Sequence, residues 1–160
     1  GKSLLVAGIA RATGLDILTG CPTLETPTTP GEPIRPRNAV ILVSSTGAVV
    51  DSYSKIHLVP FGEFVPFETV FPILERVDFG EADFSAGSER VVFTSGEARL
   101  SVLICFEAIF PRLVREFVSG GAELLVNVTN DVWYGRTSMP FQHASMAVMR
   151  PPTAAGPMAR

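Results

Sequence analysis

Two short segments of this sequence hold residues whose types and spacing suit acyl transfer. Tyr53-Ser-Lys-Ile-His-Leu-Val-Pro-Phe-Gly-Glu63 carries Lys55 and Glu63 on a stretch that Pro60 and Gly62 keep from being a continuous helix. Leu103-Ile-Cys-Phe-Glu107 sets Cys105 at the end of an apolar run, with Glu107 just beyond it. A thiol that takes an acyl group, a cation that steadies the oxyanion and a carboxylate nearby are the parts of a covalent acyl-transfer site. Their joint presence makes an enzyme the leading reading.

Each residue also has a plainer reading. Cys105 follows the strand-like Leu100-Ser-Val-Leu-Ile and precedes a helix opened by Pro111. A strand-to-helix corner exposes a nucleophile and aims backbone N–H groups at a developing oxyanion. Equally, a free cysteine is often just a small buried hydrophobe. A lysine at position 55 either serves the site as a point charge or lies solvated at a hairpin edge. Glu63, between Phe61 and Phe64, either pairs with Lys55 or lies in an exposed loop. His57 and His143 are candidates for a Cys–His dyad but have no obvious orienting partner, so they rank below the lysine–carboxylate arrangement. Asn127-Val-Thr-Asn-Asp131, before Trp133-Tyr-Gly135, follows a buried strand and reads either as a pocket lining or as turn chemistry. Phe61, Phe64, Phe67, Val70 and Phe71 read either as a lid or lipid-facing arm or as cover for the core.

These residues need a scaffold, and the chain is long enough for one. Its 160 residues favour a single domain, and 46% apolar with 18% charged residues fits a globular protein. With a net charge of −3 and no basic runs, nothing suggests a nucleic-acid surface. No apolar stretch approaches the roughly 18 to 20 residues that cross a bilayer as a helix. Cys21 and Cys105 form neither a disulfide framework nor a metal motif, and no cofactor is called for. The chain opens at Gly1 directly on an apolar run, so it is expected to be cut from something longer.

The elements expected are short strands over Leu4–Ala10 and Asp16–Cys21, then a proline-rich loop from Pro22 to Pro36. A hairpin is expected over Asn38–Ser45 and Ala48–Ser54, and an irregular segment over residues 60–87. A second hairpin follows over Arg90–Thr94 and Ala98–Cys105, then a helix over Pro111–Ser119, closed by Gly120-Gly121. Leu124–Val128 reads as a buried strand and Pro140–Arg150 as a helix. Near-continuous apolar strands mixed with helices that cover them make an α/β layered domain.

Three motifs, taken in order, resemble the apolipoprotein N-acyltransferase family. They are the segment from Tyr53 to Pro66, Ile104-Cys-Phe-Glu-Ala-Ile-Phe-Pro111, and Asn127 to Gly135 continued by Pro140-Phe-Gln-His-Ala-Ser-Met-Ala-Val-Met-Arg150. The family lies within the nitrilase (carbon–nitrogen hydrolase) superfamily. The resemblance implies an α-β-β-α sandwich, incomplete at both ends, over residues 1–150 with an atypical tail at 151–160. It implies that Cys105 takes the acyl chain as a thioester, with Lys55 and Glu63 as its catalytic partners. Glu107, Phe106 and Asn38 would support the site, and Asn130, Asp131, Trp133 and Phe64 would meet substrate. The donor would be a phospholipid and the acceptor a diacylglyceryl apolipoprotein. The domain would lie on the periplasmic side of the bacterial inner membrane, held there by segments outside this chain. The resemblance further calls for a general-base glutamate ahead of the first strand, which Gly1-Lys-Ser3 does not supply and Glu25 and Glu32 do not match. These residues alone are therefore expected not to turn over. The rival readings are a soluble amidase acting on a small amide, and an incomplete domain that only binds lipid or protein.

Overall fold

The computed structural model describes residues 2–24, 34–60, 63, 84–129 and 158–159. Helix α1 (Lys2–Thr13) leads into strands β1 (Ile17–Leu24), β2 (Pro36–Val43) and β3 (Val49–Ser54). Strands β4 (Phe93–Ser95) and β5 (Ala98–Ile104) follow, then a 3-10 turn (Cys105–Ile109), helix α2 (Pro111–Ser119), β6 (Leu124–Val128) and the short β7 (Met158–Ala159). The strands form two sheets. One is antiparallel in the order β1-β2-β3, and the other, in the order β4-β5-β6-β7, is parallel from β5 onward.

Strand β2 shows why the layers form. Its run Pro36-Arg-Asn-Ala-Val-Ile-Leu-Val43 is almost continuously apolar because both faces are covered. Val40 and Leu42 face a core shared with Val102, Leu103, Ile104, Leu113, Val114 and Phe117, from β5 and α2. Ile41 and Val43 face the other way, onto Ala10 of α1 and its neighbour Val6. The result is the layered α-β-β-α order, with the two sheets packed against each other between the helices. Burying a side chain such as Phe117 or Leu113 contributes about 1.5–3 kcal/mol. Tyr53 of β3 meets Phe117 edge-on, with ring centroids 5.6 Å apart, and so joins the first sheet to α2.

The segment expected as a strand at Leu4–Ala10 is instead the middle of helix α1. A short run that is apolar on every side does not declare its period. Here small residues, Ala7 and Ala10, turn inward at helical spacing, while Leu4, Leu5 and Ile9 stay exposed. The proline-rich loop is also shorter than expected at its start. β1 continues through Pro22 to Leu24, which an edge strand tolerates. Both hairpins form where expected, although Arg90–Val92 stay outside β4. Helix α2 and β6 have the expected limits. Pro111 occupies the first turn of α2, and Gly121, at φ 94°, closes its end by donating to the Val118 carbonyl. The Phe-rich stretch, apart from Glu63, and the helix expected at Pro140–Arg150 fall outside the described residues.

Candidate active site

Lys55 is the first residue past β3, and its backbone holds it in place from both sides. Its N–H donates to the Asn38 carbonyl at 2.8 Å and its own carbonyl accepts from Gly87 N–H at 2.7 Å. Position 87 must be glycine for this contact, since a Cβ there would collide with the Ser54 carbonyl. The side chain is buried at 1% exposure, and a buried ammonium requires a partner. Glu63 is that partner: Lys55 Nζ donates to its Oε2 at 2.6 Å. The carboxylate also accepts from Val59 N–H at 2.9 Å and from Asn38 Nδ2 at 2.8 Å. Glu63 is thus ringed by three donors, and Asn38 serves the cluster through both its backbone and its amide.

Cys105 lies immediately past β5, at φ 54°, and is the one non-glycine residue with positive φ among those described. An L-residue with a side chain pays about 1–2 kcal/mol to adopt this left-handed conformation, and such strain gathers at functional corners. Two buried groups hold the corner. Glu107 reaches back so that its Oε2 accepts from Ile104 N–H at 2.8 Å, as the returning glutamate of a capping box does. Asn127, on the neighbouring parallel strand, orients its amide so that the NH2 donates to the Leu103 carbonyl at 2.9 Å and the Cys105 carbonyl at 3.3 Å. Phe106 is half-buried beside the cysteine.

The other oxygen of Glu107 joins the two clusters. Its Oε1 accepts from Tyr53 Oη at 2.9 Å, Ile56 N–H at 2.7 Å and His57 N–H at 3.1 Å. One fully buried carboxyl therefore binds the loop that follows Lys55 to the turn that begins at Cys105. Burial pushes the Glu107 carboxyl above its ordinary range, while the donors from Ile104, His57, Ile56 and Tyr53 pull the other way. Burial, with the Glu107 charge beside it, pushes the Tyr53 hydroxyl well above its usual value, so it remains a neutral donor.

Replacing Glu107 by glutamine tests this junction. The amide can offer its oxygen to three donors, but its NH2 then faces the Ile104 N–H, two donors opposed. We expect a loss of about 1–3 kcal/mol in urea unfolding of this chain. The pH dependence has a definite sign. A carboxyl whose folded pKa is raised binds more protons folded than unfolded, so its contribution is fully present below the unfolded value and fades as pH rises through the folded one. The stability gap between wild type and Glu107→Gln should therefore be widest in acid and narrow as the pH is raised.

The structure gathers Lys55, Glu63 and Asn38 in one cluster and sets Cys105, Phe106 and Glu107 on one turn, with Glu107 bonding the loop after Lys55. Asn130, Asp131, Trp133 and Phe64 fall outside the described residues, as do Glu25, Glu32 and His143. The exposed His57 stacks on Phe110, with ring centroids 4.4 Å apart, and its backbone rather than its ring serves the site. Two contributors emerge only from the structure. Tyr53 is buried near the end of β3, whose first four residues are exposed, so no alternation along the strand points to it. Asn127 reads in the sequence as a pocket or turn residue, yet its amide bonds the backbone at the cysteine. Among the described residues no group of three His, Cys, Asp or Glu gathers as a metal site.

The carbon–nitrogen hydrolase family profile matches residues 4–155. The chain belongs to the carbon–nitrogen hydrolase family. Among members of this family, it is 42% identical over 145 residues to an apolipoprotein N-acyltransferase of Geobacter metallireducens, covering 91% of this chain and 27% of that protein. It is 37% identical over 152 residues to one of Brucella suis, covering 93% of this chain and 28% of that protein. The chain thus spans roughly a quarter of the length of these relatives. Among solved structures, an amidase from Nesterenkonia sp. superposes with a TM-score of 0.56 at 27% identity, over 86% of this chain and 44% of that one. A variant of the same amidase, at TM-score 0.57 and 26% identity, carries the acetamide moiety of fluoroacetamide added covalently at its active-site cysteine. The layered arrangement is thus shared with this amidase.

Proposed function

We propose that this chain is the thioester-forming part of an N-acyltransferase, a single domain over residues 1–150 with the tail at 151–160. It would move an acyl chain from a phospholipid to the α-amino group of an N-terminal diacylglyceryl-cysteine on an apolipoprotein. The observation that carries this reading is the junction at Glu107, which couples a strained cysteine corner to a buried lysine–glutamate pair. The covalent cysteine adduct of the related amidase and the identity to the acyltransferases support it.

In the first half-reaction the Cys105 thiol gives its proton to the general base that the resemblance calls for. Sγ attacks the ester carbonyl of the phospholipid, and a C–S bond forms as the carbonyl oxygen becomes an oxyanion. Lys55, aimed by Glu63, offsets the oxyanion. The C–O bond then breaks, and the lysophospholipid leaves as an alcohol after taking up a proton. In the second, the acceptor amine attacks the thioester, a C–N bond forms, the amine loses a proton and Cys105 is released. Asn130, Asp131, Trp133 and Phe64 would line the path of the substrates, and Phe106 would shape the wall beside the thiol. A reactive thioester must be shielded from water, and an aromatic cover suits both that need and the acyl chain. None of these steps calls for a metal or a cofactor.

No described helix is long and apolar enough to cross a membrane. Both substrates are lipids, so the work would be done at the inner membrane, with the domain on its periplasmic side. The complete gene product, incubated with phospholipid and no acceptor, should gain the mass of one acyl chain on the peptide containing Cys105. Hydroxylamine should remove it, and a diacylglyceryl peptide should accept it. An adduct transferred to water or ammonia but never to the peptide would favour the amidase reading. No adduct at all would leave a binding domain.

A further inference from the structure

Asn127 is 3% exposed in the interior of β6, where an amide without partners would be costly. The register explains the partners it takes. β5 and β6 pair from Leu100↔Leu124 to Ile104↔Val128, and Leu103 lies directly opposite Asn127. Cys105 is the residue beyond the last pair, where the chain turns left-handed at φ 54° and leaves the ladder. Its carbonyl can no longer take a donor from the regular parallel pattern. The Asn127 amide supplies one, bonding the Cys105 carbonyl at 3.3 Å while its second contact, to the Leu103 carbonyl at 2.9 Å, fixes the amide plane. Glu107 holds the same corner by the intervening N–H of Ile104. The corner is therefore gripped by a carboxyl on its N–H side and by an amide on its carbonyl side.

We propose that Asn127 is a positioning residue for the nucleophile: by bonding the carbonyls of Leu103 and Cys105, its amide keeps Cys105 in the left-handed turn that presents Sγ. The proposal rests on the reading of Cys105 as the nucleophile. Asn127 does not touch the reacting atoms. A loss of its amide lets the backbone at Cys105 relax toward ordinary φ values and swings the thiol away, with the fold retained. Misplacement of a reacting group by about 1 Å can cost on the order of 100-fold in rate.

The test uses the complete gene product with iodoacetamide as the probe, following alkylation of Cys105 and of Cys21 separately by peptide mass. Asn127→Leu keeps the branched shape, though not the volume, and removes the donor, and Asn127→Ser returns a single hydroxyl donor. In the leucine variant we expect Cys105 alkylation to slow by roughly 10- to 100-fold across the pH profile, and acyl transfer to lose kcat by a similar factor with KM little changed. Cys21 alkylation should be unaffected, and the serine variant should recover part of the loss. A folded Asn127→Leu variant whose Cys105 reacts within about twofold of wild type overturns the proposal. Should both variants fail to fold, the wild-type protein decides. Slow hydrogen exchange of the Asn127 side-chain amide supports the proposal, and exchange at the rate of a solvent amide overturns it. A wild-type Cys105 no more reactive than Cys21 removes the nucleophile reading itself, and that outcome is visible before any variant is made.

Discussion

Cys105→Ala is expected to abolish the acyl adduct and to reduce acyl transfer by about 10⁴-fold or more, the scale seen when a covalent nucleophile is removed. Cys105→Ser should fare little better. A hydroxyl at this position needs a base to become a nucleophile, and in the proposed mechanism Lys55 offers positive charge to the oxyanion instead. The same position makes an independent prediction about stability. At φ 54° an alanine bears the left-handed cost, and a glycine does not. Cys105→Gly should therefore unfold at higher denaturant than Cys105→Ala, by about 1 kcal/mol, reversing the usual order of these residues. Equilibrium urea unfolding of the two variants checks the strain, and the adduct assay checks the chemistry. A Cys105→Ala variant more stable than Cys105→Gly by the usual margin of about 0.5–1 kcal/mol would show that the corner stores no strain, whatever the activity does.

How far the site was legible depends on how local each contact is. Lys55 and Glu63 share one short segment, and a lysine near a carboxylate in a Pro/Gly stretch can be suspected from the sequence. Helix α2 was equally plain, because Pro111 opens it and a glycine pair closes it. Helix α1 is closed by Gly14 at φ 68°, but a Thr-Gly pair reads equally well as a turn between strands, and the helix inverts the usual amphipathic order. Its small alanines are buried and its large Leu4 and Leu5 are exposed, so apolarity alone misled. Tyr53 and Glu107 are 54 positions apart, and nothing in either segment names the other as its partner. Their pairing exists only because β3 and the turn after β5 are stacked by the two-sheet core. The Asn127 contact is hidden for the same reason. It depends on parallel register between β5 and β6, which hydrophobic pattern predicts only as two buried strands. Chemistry-bearing residue types could thus be read along the chain, whereas the residues that aim them required the fold.

Lys55→Met should separate the charge of the site from its shape. Methionine fills much of the space of the lysine stem but leaves no ammonium to meet an oxyanion. A donor removed from that position costs about 10² to 10³ in rate, so thioester formation should fall by that factor while Cys105 remains in place. The variant should also lose stability. Breaking a buried pair strands its partner, at about 3–5 kcal/mol when nothing else holds the remaining charge. Glu63 keeps Val59 N–H and Asn38 Nδ2, so the loss should fall at the lower end of that range. Glu63→Gln, made on its own, strands Lys55 at 1% exposure and should cost as much or more. The double variant then carries the argument. If the two residues act as one unit, Lys55→Met with Glu63→Gln should be less destabilised than the sum of the single losses, and no slower in thioester formation than Lys55→Met alone. Additive losses in both unfolding and single-turnover acylation would mean that Glu63 does not aim Lys55, and would assign it a separate task at the site.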